Sequence, residues 1–262
     1  MKKMLKSVLA LSLVAMMVLS FAGCGETAKT GESAKLVMAT NAEFPPFEFV
    51  AADGKGISKE FDGIDIAIAA EIAKDMGVEL EVSNMDFNSI IPAVDAGKAD
   101  IGIAGMTVTE DRLENVDFSE PYWVAVQTIL VKEENADITN VETLKGKKVG
   151  VVTGYTGDLT LSEIEGIELA RYQKGIDAVQ DMINGKIDAA VIDSPTAASF
   201  IAKNPGIKGI EDDSVFEKEE YAVAIKKGNT ELLEKVNATI KRLTEEGKIA
   251  AISAEVDERL AQ

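Results

Sequence analysis

Arg112 is the residue whose type and place first demand a chemical explanation. It closes the segment Gly105-Met106-Thr107-Val108-Thr109-Glu110-Asp111-Arg112, which leaves an apolar run and enters a new helix, with Thr109 placed as the N-cap and two acids in the first turn. Helix chemistry accounts for the threonine and the acids but not for the arginine. The chain uses lysine 23 times and arginine four times, and a guanidinium differs from an ammonium in gripping a carboxylate through two parallel hydrogen bonds. An isolated surface arginine is usually a solvated charge; one just past the end of a strand has a second use. Asp193 is the converse. It ends the apolar run 187–192, where a buried carboxylate is costly without a cationic partner. Either it awaits an ammonium group or it caps the helix opened by Asp193-Ser194-Pro195, and residue type weighs the two equally.

Gly154-Tyr155-Thr156-Gly157 also leaves an apolar run and opens a helix, an arrangement that aims backbone N–H groups at an anion. It lacks a Gly-Lys-Ser/Thr ending and GxGxxG spacing, so a nucleotide phosphate fits poorly; a small carboxylate or a plain turn remains. The loop Asn41-Ala42-Glu43-Phe44-Pro45-Pro46-Phe47-Glu48-Phe49 holds two of the six prolines and three of the nine phenylalanines. Rigid aromatic loops at strand ends line pockets, and Phe44 and Phe87, each at a segment junction, are the expected walls. Phe47 and Phe49 would serve equally well to seal a core edge, and Glu43 would favour a cation if it pointed inward. The chain has no histidine and a single cysteine, Cys24. Ser-His-Asp and Cys-His catalysis, histidine zinc sites and an intrachain disulfide are thereby removed. No metal or cofactor is expected, and a catalyst would have to be built from carboxylates such as Glu43, Glu48 or Asp193, or from lysine.

The elements that must hold these residues are legible as periodicity. Residues 36–39 suit a buried strand, and Ile64, Ile68, Ile72 and Met76 recur every four residues, an amphipathic helix stopped by Gly77. A strand over 78–82, a helix over 90–96 and a strand over 101–104 complete a β-α-β-α-β half. The scheme repeats as strand 148–152, helix 157–165, strand 168–172, helix 177–184 and strand 187–192. Gly97-Lys98-Ala99-Asp100-Ile101-Gly102-Ile103 is echoed by Gly185-Lys186-Ile187-Asp188-Ala189-Ala190-Val191, 88 residues later. Both halves therefore read as α/β layers with mainly parallel sheets. Ligands bind beyond the carboxyl ends of such strands, so the outlets at Met106-Thr107 and Asp193-Ser194 should face one crevice. Segments 127–131 and 220–225 read as a two-strand hinge that permits closure. The helix 231–246 and the stretch to 262 should pack back on the first lobe. The expected division is lobe 1 over 35–126 and 226–262, and lobe 2 with the hinge strands over 127–225.

Lys2, Lys3 and Lys6 precede an almost purely apolar stretch, 8–21, that ends in the small pair Ala22-Gly23, the pattern of a signal peptide over 1–23. No other stretch approaches the 18 apolar residues of a membrane span. Phe21-Ala22-Gly23-Cys24 resembles the bacterial lipobox, with phenylalanine where that motif usually has leucine, so Cys24 is expected to carry lipid. Residues 25–34, GETAKTGESA, are small and polar, a tether wandering about 15–20 Å. Against 27 basic side chains stand 45 acidic ones, a formal net charge of -18, which phosphate backbones and anionic lipid surfaces repel; no nucleic-acid partner is expected. At 262 residues and 46% hydrophobic, the chain can build two lobes of roughly 100–120 residues.

The ordered segments NAEFPPFEF, FDGIDIAIAAEIAK, MDFNSIIPAV, GKADIGIAGMTVTEDR, VDFSEPYW, LKGKKVGVVTGYTG and GKIDAAVIDSP resemble the family 3 bacterial extracellular solute-binding proteins, which serve amino-acid ABC importers. The resemblance covers residues 35–247. It implies a two-lobed, periplasmic-binding-protein-like (type II) fold that captures a free polar L-amino acid. Arg112 would hold the ligand α-carboxylate, helped by Thr107 and the backbone about Gly105 and Thr156, and Asp193 would receive the α-ammonium. Phe44 and Phe87 would sandwich the ligand side chain, with Asn41 at its polar end. Many relatives have aspartate where Asn41 stands, which leaves the ligand side chain open, and the aromatic Lys-Trp ending is missing after Gly247, which concerns peripheral packing. The implied partners are the amino acid, permease subunits, and the membrane through the lipid anchor. A monomer is expected, on the outer face of the cytoplasmic membrane or in a periplasm. The alternative is a same-fold enzyme, such as a dehydratase, working with cleft carboxylates.

Overall fold

The computed structural model describes residues 34–261; the leader and Cys24 lie outside the described residues. From the first described residues the chain forms β1 (Lys35–Thr40), β2 (Glu43–Phe44), β3 (Glu48–Val50), β4 (Phe61–Asp62), α1 (Ile64–Met76), β5 (Glu79–Asn84), α2 (Ile90–Asp95), β6 (Ile101–Gly102), α3 (Glu110–Leu113) and β7 (Val116–Phe118). It continues through β8 (Trp123–Ala125), β9 (Gln127–Lys132), β10 (Lys148–Val152), α4 (Thr156–Ser162), β11 (Glu168–Tyr172), α5 (Gly175–Ile183), β12 (Ala189–Asp193), α6 (Ser194–Lys203) and β13 (Ile207–Glu211). Last come β14 (Glu219–Tyr221), β15 (Ala224–Lys226), α7 (Thr230–Glu245) and α8 (Lys248–Leu260). None of the described helices is long and apolar enough to cross a membrane.

Two five-stranded sheets carry the lobes, in the orders β5-β1-β6-β15-β7 and β11-β10-β12-β9-β13. In each, the first three strands pair in parallel and the fourth is antiparallel to both neighbours. All strands but one therefore run the same way, as the mainly parallel expectation requires. The odd strand, β9 or β15, follows a crossing between lobes, and β15 straddles the expected lobe boundary at 225/226. The sequence echo has a physical counterpart. Gly97 and Gly185 both adopt left-handed φ, 69° and 70°, ending their helices where a side chain would be strained. Asp100 then accepts the Val37 N–H at 2.7 Å, and Asp188 accepts the Lys148 N–H at 2.8 Å. Each sheet thus pins the N-terminal part of the matching strand, β1 or β10, with an aspartate at the matching place.

Helix α1 buries more than one stripe. Ile66 joins Ile64, Ile68 and Ile72 at zero exposure because α1 is covered by the sheet and also by α7 and α8. Each such isoleucine contributes about 1.5–3 kcal/mol by leaving water. The C-terminal helices are tied to this lobe by Arg242, 2.8 Å from both Glu71 and Asp75, and by Arg259, which grips Asp62 through two bonds at 2.8 and 2.9 Å. Between the lobes runs the antiparallel ribbon β8/β14, which places Trp123 opposite Tyr221 and Ala125 opposite Glu219. Trp123 is half-buried, with Phe47 edge-on at 5.3 Å. Two strands with few cross-links are soft in bending while the sheets they join are stiff, the mechanical requirement for a hinge.

Candidate functional site

Arg112 sits in the four-residue helix α3, whose N-cap Thr109 accepts the Arg112 N–H. A short helix fastened at its start fixes the direction of the side chain. The guanidinium is only 8% exposed and lies 5.1 Å above the Phe87 ring centroid, a cation–π placement that replaces part of its lost hydration. Its Nη1 donates to the Thr107 carbonyl at 2.7 Å and its Nη2 to the Gly154 carbonyl at 3.1 Å, across to the other lobe. Burial lowers its pKa, and the nearby Glu219 and Asp193 charges oppose that shift.

On the second lobe Asp193 occupies the N-cap position of α6, yet its side chain makes no capping bond. It instead accepts the Tyr221 hydroxyl at 2.6 Å, and is 3% exposed. The capping alternative is therefore excluded: the carboxylate points into the cleft. Burial first, and then Glu219, raise its pKa from 3.8 to about 7. Between the lobes Glu219 accepts hydroxyl protons from Thr107 at 2.8 Å and Thr156 at 2.7 Å, and Gln127 Nε2 lies 3.3 Å from both of its oxygens.

The aromatic walls differ from the simple sandwich. Tyr155 stands between the expected pair, edge-on to Phe44 at 5.5 Å and tilted over Phe87 at 4.5 Å, and its hydroxyl donates to Asn41 Oδ1 at 3.3 Å. Asn41 also donates to the Met85 carbonyl. Gly105 supports Phe44 from below: its φ is +52°, and a Cβ there would lie 2.6 Å from the ring. Its N–H donates to Asp65 Oδ2, which also accepts the Tyr122 hydroxyl. Burial raises Asp65 to about 6 and, with Asp65 beside it, lifts Glu48 well above the ordinary carboxylate value. Gly154 (φ +79°) closes on Asn88 of the first lobe so tightly that a Cβ would fall 2.0 Å from its Oδ1. The N–H groups of Gly154 and Tyr155 go to Asp158 and the Val152 carbonyl, which leaves those of Thr156 and Gly157, at the start of α4, as the ones that could meet an anion. Glu43 faces the lip, paired with Lys174 of the opposite lobe at 2.6 Å and 28% exposed.

The fold thus gathers Phe87, Gly105, Thr107, Arg112, Thr156 and Asp193 around one space, with Phe44 and Asn41 joined to it through Tyr155. That space measures only about 10 Å³, room for one water at most. Tyr155, Gln127 and Glu219 are contributors that sequence reasoning missed. Tyr155 was visible as the ring inside a Gly-rich turn, whereas Glu219 lies in the charge run Glu217-Lys218-Glu219-Glu220, which has no distinguishing signal.

The raised pKa of Asp193 has a testable sign. The folded protein holds a proton that the unfolded chain releases near pH 4, so this group's contribution to stability is full below about pH 4 and is lost as pH rises through about 7. Asp193→Asn should therefore raise the melting temperature of the protein, measured without added amino acid, at pH 8, and the gain should shrink toward zero by pH 4. An equal gain at both pH values would show that ionised Asp193 is not strained by its burial.

A family model described as bacterial extracellular solute-binding proteins, family 3, matches residues 36–256. The probable histidine-binding protein of Neisseria gonorrhoeae is 32% identical over 97% of this chain and 95% of its own length. The L-cystine-binding protein TcyJ of Escherichia coli (strain K12) is 31% identical over 96% of this chain and 94% of its own. A solved ancestral arginine-binding protein bound to arginine superposes with a TM-score of 0.78 at 39% identity, over 84% of this chain and 97% of that one.

Proposed function

Because the chain belongs to the bacterial extracellular solute-binding proteins, family 3, a family of binding proteins and not of enzymes, we propose that it captures a free polar L-amino acid between its lobes and delivers it to the permease of an ABC importer. The observation that carries this reading is the burial of Arg112 and Asp193, opposite charges on opposite lobes, beside the same small space. A zwitterion satisfies both at once. A ligand lacking either charge leaves one buried group unpaired, at a cost of about 2–5 kcal/mol. The α-amino acid backbone is then the recognised unit, with Arg112, Thr107 and Thr156 on the carboxylate and Asp193 on the ammonium. Phe44, Phe87 and Tyr155 line the way to the ligand side chain. Closure on the ligand couples to occupancy, and that ligand-closed form is what the permease reads.

The same reading places the protein outside the cytoplasm as a monomer held by lipid on Cys24, with residues 25–34 as the tether. Relatives named for histidine, cystine and arginine make these amino acids, with L-glutamine, the first probes. Isothermal titration of residues 25–262 should give micromolar binding, about -8 kcal/mol, to at least one common L-amino acid and none to its decarboxylated analogue. Silence toward every common amino acid would refute the reading.

A further inference from the structure

Glu219 lies outside the set of residues that the family resemblance implies for the ligand, yet it stands at the centre of the bonds joining the lobes. It opens β14, opposite Ala125 in the hinge ribbon, and a single oxygen, Oε2, accepts from Thr107 of the first lobe and Thr156 of the second. A hydroxyl has one proton to give. Thr156 Oγ1 also accepts from Gln127 Nε2 at 3.0 Å, which leaves its own proton directed at Glu219. Both hydroxyls are consequently spent on this carboxylate. They belong to two of the residues that the resemblance puts beside an incoming α-carboxylate, and the space around them cannot admit an amino acid while they stay so bonded.

We propose that Glu219 is a resident carboxylate that takes the place of the ligand's own between Thr107 and Thr156, so that binding is an exchange of one carboxylate for another. The inference rests on the reading that these threonines receive the ligand α-carboxylate. Until the exchange, Glu219 bridges the lobes from the hinge and holds the cleft shut. The ligand must release that bridge before it can close the lobes on itself, and its apparent affinity is reduced by the fraction of molecules in the self-bridged form. Arg112 remains available for the exchange because its two bonds go to backbone carbonyls, which water can satisfy once the lobes part.

The test uses Glu219→Ala and Glu219→Gln, the second keeping the size of the side chain should the first fail to fold. Small-angle scattering without amino acid should give a larger radius of gyration for the variants than for the parent protein, with Glu219→Ala the more open. Calorimetry with L-arginine should show affinity tightened by about tenfold in Glu219→Ala. Agmatine, which has no carboxylate to exchange, should bind neither parent nor variant measurably, and binding of agmatine by Glu219→Ala would show that opening alone, not carboxylate exchange, limits the parent. Unchanged scattering, or weaker L-arginine binding by the variants, would overturn the exchange. The scattering arm needs no ligand: if the parent protein binds no amino acid, the functional reading fails and scattering alone decides the bridge.

Discussion

Arg112→Met is expected to weaken L-amino-acid binding by at least about a hundredfold while the protein remains folded. Methionine keeps the unbranched apolar stem of the side chain and offers a polarizable sulfur to the Phe87 ring, so the wall on that side survives. What disappears is the cation, and with it the two donors that reach the Thr107 and Gly154 carbonyls. A carboxylate brought into the cleft would then be desolvated against hydroxyls alone. The freed carbonyls would cost roughly 1–3 kcal/mol if they stayed buried; parting of the lobes returns them to water, so stability against unfolding should change by only about 1 kcal/mol. Arg112→Lys should recover little, because a point charge cannot reproduce the planar fork. Calorimetry alongside thermal melting separates these effects, and an affinity within threefold of the parent protein would end the carboxylate assignment.

Asp193→Asn should weaken the same ligand by about 30-fold, roughly 2 kcal/mol. The amide can still accept the Tyr221 hydroxyl, so the local bond at 2.6 Å has a substitute. The charge that would meet an ammonium has none. A deaminated analogue of the ligand offers no ammonium and should bind the variant at least as well as the parent, which separates loss of a charge partner from distortion of the cleft. If the amino acid bound both proteins alike, Asp193 would be a hinge residue and not a receptor. The variant should also be the more stable protein at pH 8, so recognition is held here at the expense of folding.

Reading the residues in order reaches the scaffold more readily than the cleft. The four-residue spacing of α1 and the paired glycine stops are local, each decided by neighbours within one turn, whereas the Asp100 and Asp188 pins reach N–H groups 63 and 40 residues away and show in the sequence only as a repeated residue type. The odd position of β15 in the first sheet follows from a crossing, which periodicity cannot register. The same distinction governs the site. Arg112 stands out as a rare arginine in a lysine-rich chain just past a strand end, and Asp193 as an acid at the end of a largely apolar run. Tyr155 and Glu219 acquire their roles only from groups brought close by folding: Asn41 is 114 residues from Tyr155, and Thr107 is 112 from Glu219. Helix ends shifted for ordinary reasons. α4 spans Thr156–Ser162 where 157–165 was expected, because the chain must turn at Gly166, whose φ is +91°.

The position of Trp123 has one more consequence. It is the only tryptophan of the chain, half-buried in the ribbon that must flex, against Phe47 on one side and across from Tyr221 on the other. The molecule thus carries a single indole fluorophore between its lobes, and its emission, excited at wavelengths beyond tyrosine absorption, should report lobe movement without an attached dye.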